Sequence, residues 1–271
     1  MVPPTYGVTE QTASHGDVDL AAERVRLAGY CLVPSGLTEA QLKAVSGAFD
    51  RTLATVRDRY PDLSALGENN IIRAALRLDP AFRDLALNEA VHGLVRKLLG
   101  EFDVLNQQNG LCNPPVGEDY EQAAFHRDLS YQHVVSSRPL AVSALFCIDP
   151  FTQENGATLL IPGSHHQEAF PAEGNVARLA AAVEAPAGTF IVFDSLCFHG
   201  GGRNGTDLPR RAVNHVFSIP PIQQQIRLPQ VLGADYPRSV FERRLFGYDI
   251  DAPDSIEAYY RRLQSRRNAP R

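Results

Sequence analysis

The sequence predicts an α+β fold, mainly a β core with helices around it, and three observations predict it. Apolar positions recur at helical spacing through the N-terminal part. From residue 102 the texture changes to short apolar runs cut by Gly, Pro and Asn, the pattern of a sandwich or barrel. After Pro220 the pattern turns helical again, and no linker separates these parts. One domain over 1–271 is therefore expected, with a mainly helical part at 1–101, a sheet core at 102–220 and a helical extension at 221–271.

Leu20, Ala21, Val25 and Leu27 follow a cap at Asp17 and predict a helix that stops at Gly29. Residues 30–33 then read as a short strand ending at Pro34. Thr38 with Gln41 three positions on is a capping box, opening a helix that carries Leu42, Val45, Phe49, Leu53 and Val56. Asn88 caps a further helix through Leu99, with Gly100 as its stop. Strands are expected at 104–111, 123–126, 140–148, 157–161, 189–193, 196–199 and 211–219, and a last helix at 255–264.

The chain has 26 Lys and Arg against 31 Asp and Glu, a formal charge of −5, with no block of like charge. A nucleic-acid partner needs a concentrated basic face and is disfavoured. At 44% apolar and 21% charged residues the chain can bury a sizeable core without disulfides. Cys31, Cys112, Cys147 and Cys197 are too far apart for a close-spaced disulfide framework or a zinc knuckle, and read as buried, reduced thiols. No apolar stretch approaches the roughly 18 residues of a membrane span, and residues 1–17 lack the pattern of a signal peptide, so a cytoplasmic protein without a membrane partner is expected.

His126 and Asp128 form a His-x-Asp pair at the end of the run Ala123-Ala124-Phe125. In extended chain, residues two apart share a face, so one imidazole and one carboxylate meet an ion from one side. That spacing is weak evidence alone. His199 closes a second apolar run and precedes Gly200-Gly201-Gly202, where bare backbone leaves room for a ligand. Arg210 follows at the mouth of the strand 211–219, where a guanidinium can hold a carboxylate with two parallel bonds. Two His and one carboxylate with open positions opposite form the facial triad of non-heme Fe(II) oxygenases. The ferrous ion keeps net positive charge there, so an anionic keto acid and then dioxygen fill the remaining positions, with the Arg on the far carboxylate.

Together these residues resemble the phytanoyl-CoA dioxygenase-like branch of the Fe(II)/2-oxoglutarate-dependent dioxygenases. The matching text is Phe125-His126-Arg127-Asp128-Leu129-Ser130-Tyr131, then Glu154-Asn155-Gly156-Ala157-Thr158-Leu159-Leu160-Ile161-Pro162-Gly163-Ser164-His165, and His199-Gly200-Gly201-Gly202-Arg203-Asn204 running to Arg210. The resemblance spans 106–218. It implies a double-stranded β-helix (jelly-roll) flanked by helices, iron bound by His126, Asp128 and His199, and 2-oxoglutarate held by Arg210. Arg211 competes, since adjacent strand residues face opposite ways, and the family's offset favours Arg210. Related halogenases have Gly or Ala where Asp128 stands, so the resemblance implies a hydroxylase-type enzyme.

The cofactors implied are Fe(II), 2-oxoglutarate and O2. The implied reaction is hydroxylation of a small-molecule metabolite with release of succinate and CO2. Desaturation, epimerisation or cyclisation on the same iron, a non-catalytic jelly-roll binding protein, and a cupin-type metalloenzyme are the alternatives.

Asn106, Gln107, Gln108, Asn109 and Asn113 lie where the family places polar groups toward 2-oxoglutarate or substrate. Period-two alternation allows Gln107 with Asn109, or Asn106 with Gln108. Tyr131 and Gln132, just past the ligands, are candidates for substrate contact, and Asp119 and Glu121 for a charged substrate. The segment Pro162-Gly163-Ser164-His165 reads as a turn. His165 and His166 are set aside because the triad is complete, His15 and His92 have no partners in view, and His133 and His215 stay open as pocket-lining or buried residues.

Overall fold

The computed structural model describes residues 16–118, 120–129 and 131–268. In chain order the elements are α1 (Asp17–Ala28), β1 (Tyr30–Pro34), α2 (Glu39–Arg59), β2 (Ile71–Arg73), α3 (Pro80–Ala86), α4 (Glu89–Leu99), β3 (Val104–Asn113), β4 (Ala141–Cys147), β5 (Thr158–Leu160), α5 (Glu173–Leu179), β6 (Ala181–Ala182), β7 (Thr189–Asp194), β8 (His199–Gly201), β9 (Arg210–Ser218), α6 (Leu228–Leu232), α7 (Val240–Leu245) and α8 (Ile256–Asn268). Six strands in the order β1-β7-β4-β9-β3-β2 form one sheet and β6-β5-β8 a smaller one. All the pairings are antiparallel, and the two sheets make a jelly-roll with helices laid on the outer face of the larger.

Period-two alternation divides the core in two. On β4 and β7, Val142, Ala144, Phe146, Phe190 and Val192 point to the helix side, where they meet Ala22 and Val25 of α1, Phe49 of α2 and Leu94 of α4. Their neighbours Leu145, Cys147, Ile191 and Phe193 point between the sheets, toward Leu160 and Ala212. Burial of a Phe side chain contributes about 1.5–3 kcal/mol, so Phe146 and Phe190, both fully buried, bind the helical layer firmly to the sheet. Gly110 permits that contact, because a Cβ there would stand 2.9 Å from Phe49 Cε2.

Local signals act as read at several ends. Thr38 and Gln41 make the reciprocal capping box, and Asn88 accepts from the backbone N–H of Ala90 and Val91. Gly29 and Gly100 end their helices. The cap of α1 is Gly16 rather than Asp17, which instead joins Asp19 in the first turn, where negative charge suits the helix dipole. Leu20 and Leu27 of that helix are exposed, and Ala22 and Val25 make the buried stripe.

Two expected strands do not form. Residues 121–123 make a 3-10 turn, and the segment after it contributes one bridge, His126 to His199. The run at 196–199 is a tight turn out of β7, with β8 beginning at His199. Each apolar run borders the site, where ladder bonds stop so that the backbone can change direction. The helices α3, α5, α6 and α7 and the strand β2 carry too few residues for a periodic signal.

Candidate active site

His126 and Asp128 lie on irregular extended chain that pairs locally with the turn leading into β8. His126 N donates to His199 O at 2.7 Å, His199 N to His126 O at 3.0 Å, and Asp128 N to Ser195 O at 2.9 Å. Residues two apart therefore share a face without belonging to a full strand. The intervening Arg127 points the other way and is fully buried. It donates to the carbonyls of Gln132, Ser164, Gln167 and Glu168, so the segment 164–168 together with Gln132 serves as its socket. The sequence reading did not assign Arg127 a role; its place between two ligand-type residues was the available signal.

One donor atom from each of His126, Asp128 and His199 lies within 4.8 Å of the others. Asp128 Oδ1 is 3.5 Å from His126 Nε2 and 3.7 Å from His199 Nε2. His126 Nδ1 lies 2.8 Å from the Ala124 carbonyl and His199 Nδ1 3.0 Å from that of Cys197. Each Nδ1 therefore carries the proton and each Nε2 presents its lone pair to the common centre. Asp128 Oδ2 is occupied separately, accepting from Ser143 Oγ at 2.5 Å and Asn214 Nδ2 at 3.3 Å, which leaves Oδ1 for an ion. Burial opposes ionisation of Asp128, yet the His199 and His126 imidazoles and the Ser143 hydroxyl hold its carboxyl well below the usual range. Burial lowers the His199 imidazole, which keeps it neutral as a ligand must be. This donor set, two imidazoles and one carboxylate, suits a ferrous ion with open positions opposite.

Arg210 and Arg211 face opposite ways. Arg211 turns outward and is held by Asp149 at 2.7 Å and Asp50 at 2.7 Å. Arg210 turns inward, is 3% exposed, stacks on Phe151 with its guanidinium carbon 3.9 Å from the ring centroid, and bonds the Tyr120 hydroxyl. Its Nε has no partner, and no carboxylate among the described residues lies within ion-pair distance of it. An inner pocket is lined by Arg210, all three metal-ligand candidates, Leu145 and Phe193. An unpaired buried guanidinium is costly in isolation, so the chemistry of this pocket suits an anionic ligand that would bring it a carboxylate.

The glycine triplet does not leave open space. A Cβ on Gly201 would stand 2.4 Å from the Tyr120 ring, on Gly200 2.7 Å from Ala123 O, and on Gly202 2.5 Å from Ala157 O. The missing side chains admit neighbouring parts of the protein, which bring Tyr120 and His126 against β8. This corrects the reading of the triplet as room for a ligand.

An outer cavity of about 590 Å³ opens over His126 and Asp128. Gln107 and Asn109 both line it, their amides 2.8 Å apart. Gln108 faces the helix side, where it accepts from Leu76 N and donates to Phe82 O and toward His215 Nε2. Asn106 also lines the cavity, because a β-bulge between Leu105 and Gln107 breaks the alternation. Asn113 lies farther along β3 and donates to the Gly202 carbonyl. Gln132 lines the cavity with its side chain accepting from Arg127 N, whereas Tyr131 is 66% exposed and outside the lining. Asn214, absent from the sequence reading, joins both pockets; only the cross-strand register, which pairs it with Asn109, reveals it.

The other histidines are accounted for by packing. His92 Nε2 meets the Ala86 carbonyl, His165 and His166 both meet that of Arg26, and His133 stacks on Phe170. His215 is fully buried. His15, Asp119 and Ser130 lie outside the described residues, as does the Glu121 side chain. No helix among the described residues is long and apolar enough to cross a membrane.

The family model described as Phytanoyl-CoA dioxygenase (PhyH) matches residues 25–212. The uncharacterized protein Rv1501 of Mycobacterium tuberculosis is 31% identical over 90% of this chain and 91% of its own. The Fe(II)/2-oxoglutarate-dependent dioxygenase nvfF of Aspergillus novofumigatus is 28% identical over 83% of this chain and 78% of its own. Among solved structures, the non-heme alpha ketoglutarate dependent epimerase SnoN from nogalamycin biosynthesis superposes with a TM-score of 0.62 at 22% identity, over 82% of this chain and 93% of that one, a likeness of fold.

Proposed function

The chain belongs to the phytanoyl-CoA dioxygenase family and is a 2-oxoglutarate-dependent non-heme iron dioxygenase, and from that premise we propose that it hydroxylates a small-molecule metabolite at the centre formed by His126, Asp128 and His199. When bound, the iron and 2-oxoglutarate supply the oxidising power, with dioxygen consumed and succinate and CO2 released. The observation that carries the residue assignment is the buried, carboxylate-free Arg210 in the same pocket as the three ligands.

The chain's own residues have distinct tasks. The Nε2 atoms of His126 and His199 and Oδ1 of Asp128 would hold the metal. Ser143 and Asn214 keep Asp128 Oδ2 turned away. Arg210, backed by Phe151 and Tyr120, receives the far carboxylate of 2-oxoglutarate, where low exposure strengthens the pairing. Leu145 and Phe193 wall the inner pocket against water, and Gln107, Asn109 and Gln132 line the side from which substrate approaches. Tyr131, exposed at the segment following the ligands, is assigned to the entrance.

We read the whole of 1–271 as one dioxygenase domain, because β1 and β2 from the N-terminal part complete the larger sheet. Cys31, Cys112, Cys147 and Cys197 are all buried and free, which favours a reducing, cytoplasmic setting. Desaturation, epimerisation and cyclisation use the same ligand set, and product mass separates them from hydroxylation.

Anaerobic titration of the Fe(II)-loaded protein with 2-oxoglutarate tests the assignment through the visible charge-transfer absorption of the chelate. Wild type and Arg211→Ala should titrate alike, and Arg210→Ala should bind about thirtyfold more weakly or worse. No absorption change in iron-loaded wild type would sink the assignment.

A further inference from the structure

We propose that the outer cavity takes a neutral, polyhydroxylated substrate, a glycoside or polyol-bearing small molecule, held by side-chain amides and presenting one C–H bond to the metal centre. This rests on the oxygenase reading above and adds the substrate class.

More than half of the cavity lining is Asn or Gln, and its apolar part is Leu111, Leu129 and Ile222. The amides come from separate elements. Asn106, Gln107 and Asn109 stand on β3, and the run Gln223-Gln224-Gln225 follows β9 beside them, with Asn106 Nδ2 donating to the Gln223 carbonyl at 3.0 Å. Gln224 anchors that run, donating to the carbonyls of Leu105 and Phe246 and accepting from Leu228 N, while Gln223 and Gln225 on either side are exposed. Among the described residues the Gln122 and Gln223 amides have no hydrogen-bond partner. Deeper in, Asn214 is 8% exposed, donates to Asp128, and leaves its Oδ1 with no partner at all. A buried acceptor beside the metal position, left unsatisfied, calls for a donor from the ligand.

Charge narrows the class. Arg73 is chelated by Glu68, with Nε to Oε2 at 2.7 Å and Nη2 to Oε1 at 2.5 Å. Arg127 is spent on four backbone carbonyls. The Arg73 charge is therefore countered, and the Arg127 guanidinium, with only Nε unpartnered, is buried and turned away, so a phosphate or a CoA moiety would find no free cation among the described lining. An alkyl chain would strip water from the amides and return nothing, a loss for every amide covered. A hydroxyl both donates and accepts, as an amide does, so several hydroxyls on a rigid ring satisfy this wall without net charge.

Paramagnetic relaxation of ligand protons by the bound metal tests this. The protein would be loaded anaerobically with Fe(II) and 2-oxoglutarate, with a Zn(II)-loaded sample as the diamagnetic control. The probes are methyl glucosides and myo-inositol, against octanoyl-CoA and glycine betaine. Iron-dependent relaxation of the glucoside and inositol protons is expected, weakened about three- to tenfold in affinity by Gln107→Leu and by Gln225→Leu. Thermal unfolding of each variant would confirm that it is folded. Stronger relaxation of octanoyl-CoA or betaine, or polyol binding indifferent to both substitutions, would overturn the substrate class while 2-oxoglutarate still binds. Failure of 2-oxoglutarate itself to bind would overturn the oxygenase assignment instead.

Discussion

Two successive rungs between β3 and β9, Gln108 with His215 and Asn109 with Asn214, differ in almost everything except their place in the ladder. Gln108 and His215 point to the helix side and form a closed network. The glutamine amide serves Leu76, Phe82 and His215, and His215 Nδ1 reaches the Ala144 carbonyl at 3.1 Å. Asn109 and Asn214 point to the cavity, and this rung stays open at Asn214. The Asn109 orientation that satisfies both its ends accepts from Arg73 Nη1 at 3.1 Å and donates to Gln108 O at 3.0 Å, and Asn214 Oδ1 has no partner. The lesson is that neighbouring rungs of one ladder serve different ends, one closing a network that specifies the fold and the other leaving an acceptor open beside the metal-ligand candidates. The Gln108–His215 rung is complete, whereas Asn214 Oδ1 on the other face has no partner within the chain.

The largest effect should come from the metal side. Asp128→Ala should weaken Fe(II) binding by at least about a hundredfold, since it removes a ligand where loss of a mere supporting partner costs 10–100-fold. Calorimetric titration of Fe(II) would measure it. Unchanged affinity would break the assignment of the open face.

Gln108→Leu tests the closed rung. It strands Leu76 N–H, the Phe82 carbonyl and His215 Nε2, and should destabilise the fold by about 3–4 kcal/mol in urea unfolding. Iron affinity in the surviving folded protein should stay within about threefold of wild type. A variant as stable as wild type would show the network to be dispensable.

The same rung sets a pH dependence. In the unfolded chain His215 takes a proton near its ordinary value of 6.5, and burial pushes this down to about 4 in the fold. The unfolded state thus binds more protons between those values, so stability is full above 6.5 and is lost as the pH falls toward 4, by up to roughly 3 kcal/mol. Burial raises Asp103 and Asp194 to about 6, and these act in the opposite sense, costing stability as the pH rises through about 4 to 6. Comparing wild type with His215→Gln across this range isolates the histidine, and parallel curves would refute its role.

The smallest effect belongs to the open rung. Asn214→Ala removes a supporting bond to Asp128 together with an unpaired oxygen. Fe(II) affinity should fall about tenfold while stability changes by less than about 1 kcal/mol. A larger loss of stability than of affinity would place Asn214 with the closed network.

Much of this was legible beforehand, and for particular reasons. Thr38 with Gln41 and Asn88 act within one turn of chain, so their signals survive without tertiary context. The core strands β4 and β7 are apolar runs that stand out by themselves, and β3 and β9 carry polar residues between apolar ones yet are long enough to be read. His126, Asp128 and His199 stood out as residue types at the right spacing, although the strand expected to carry the first two is a turn followed by a single bridge. Arg127 and Asn214 could not be read that way. The socket of the first lies 37 to 41 residues along the chain, and Asn214 meets Asp128 across 86.

By itself, the sequence determined the donor chemistry, the helix ends and the two-faced core strands, because these depend on residue type and short-range geometry. Only the tertiary structure decided which of Arg210 and Arg211 turns inward, that a bulge brings Asn106 beside Gln107 and Asn109, and that the glycine triplet seats Tyr120 instead of a ligand. Facing in a strand flips with every residue and resets at every bulge. It is settled by which apolar side chains the whole fold can bury, and no local stretch of sequence contains that information.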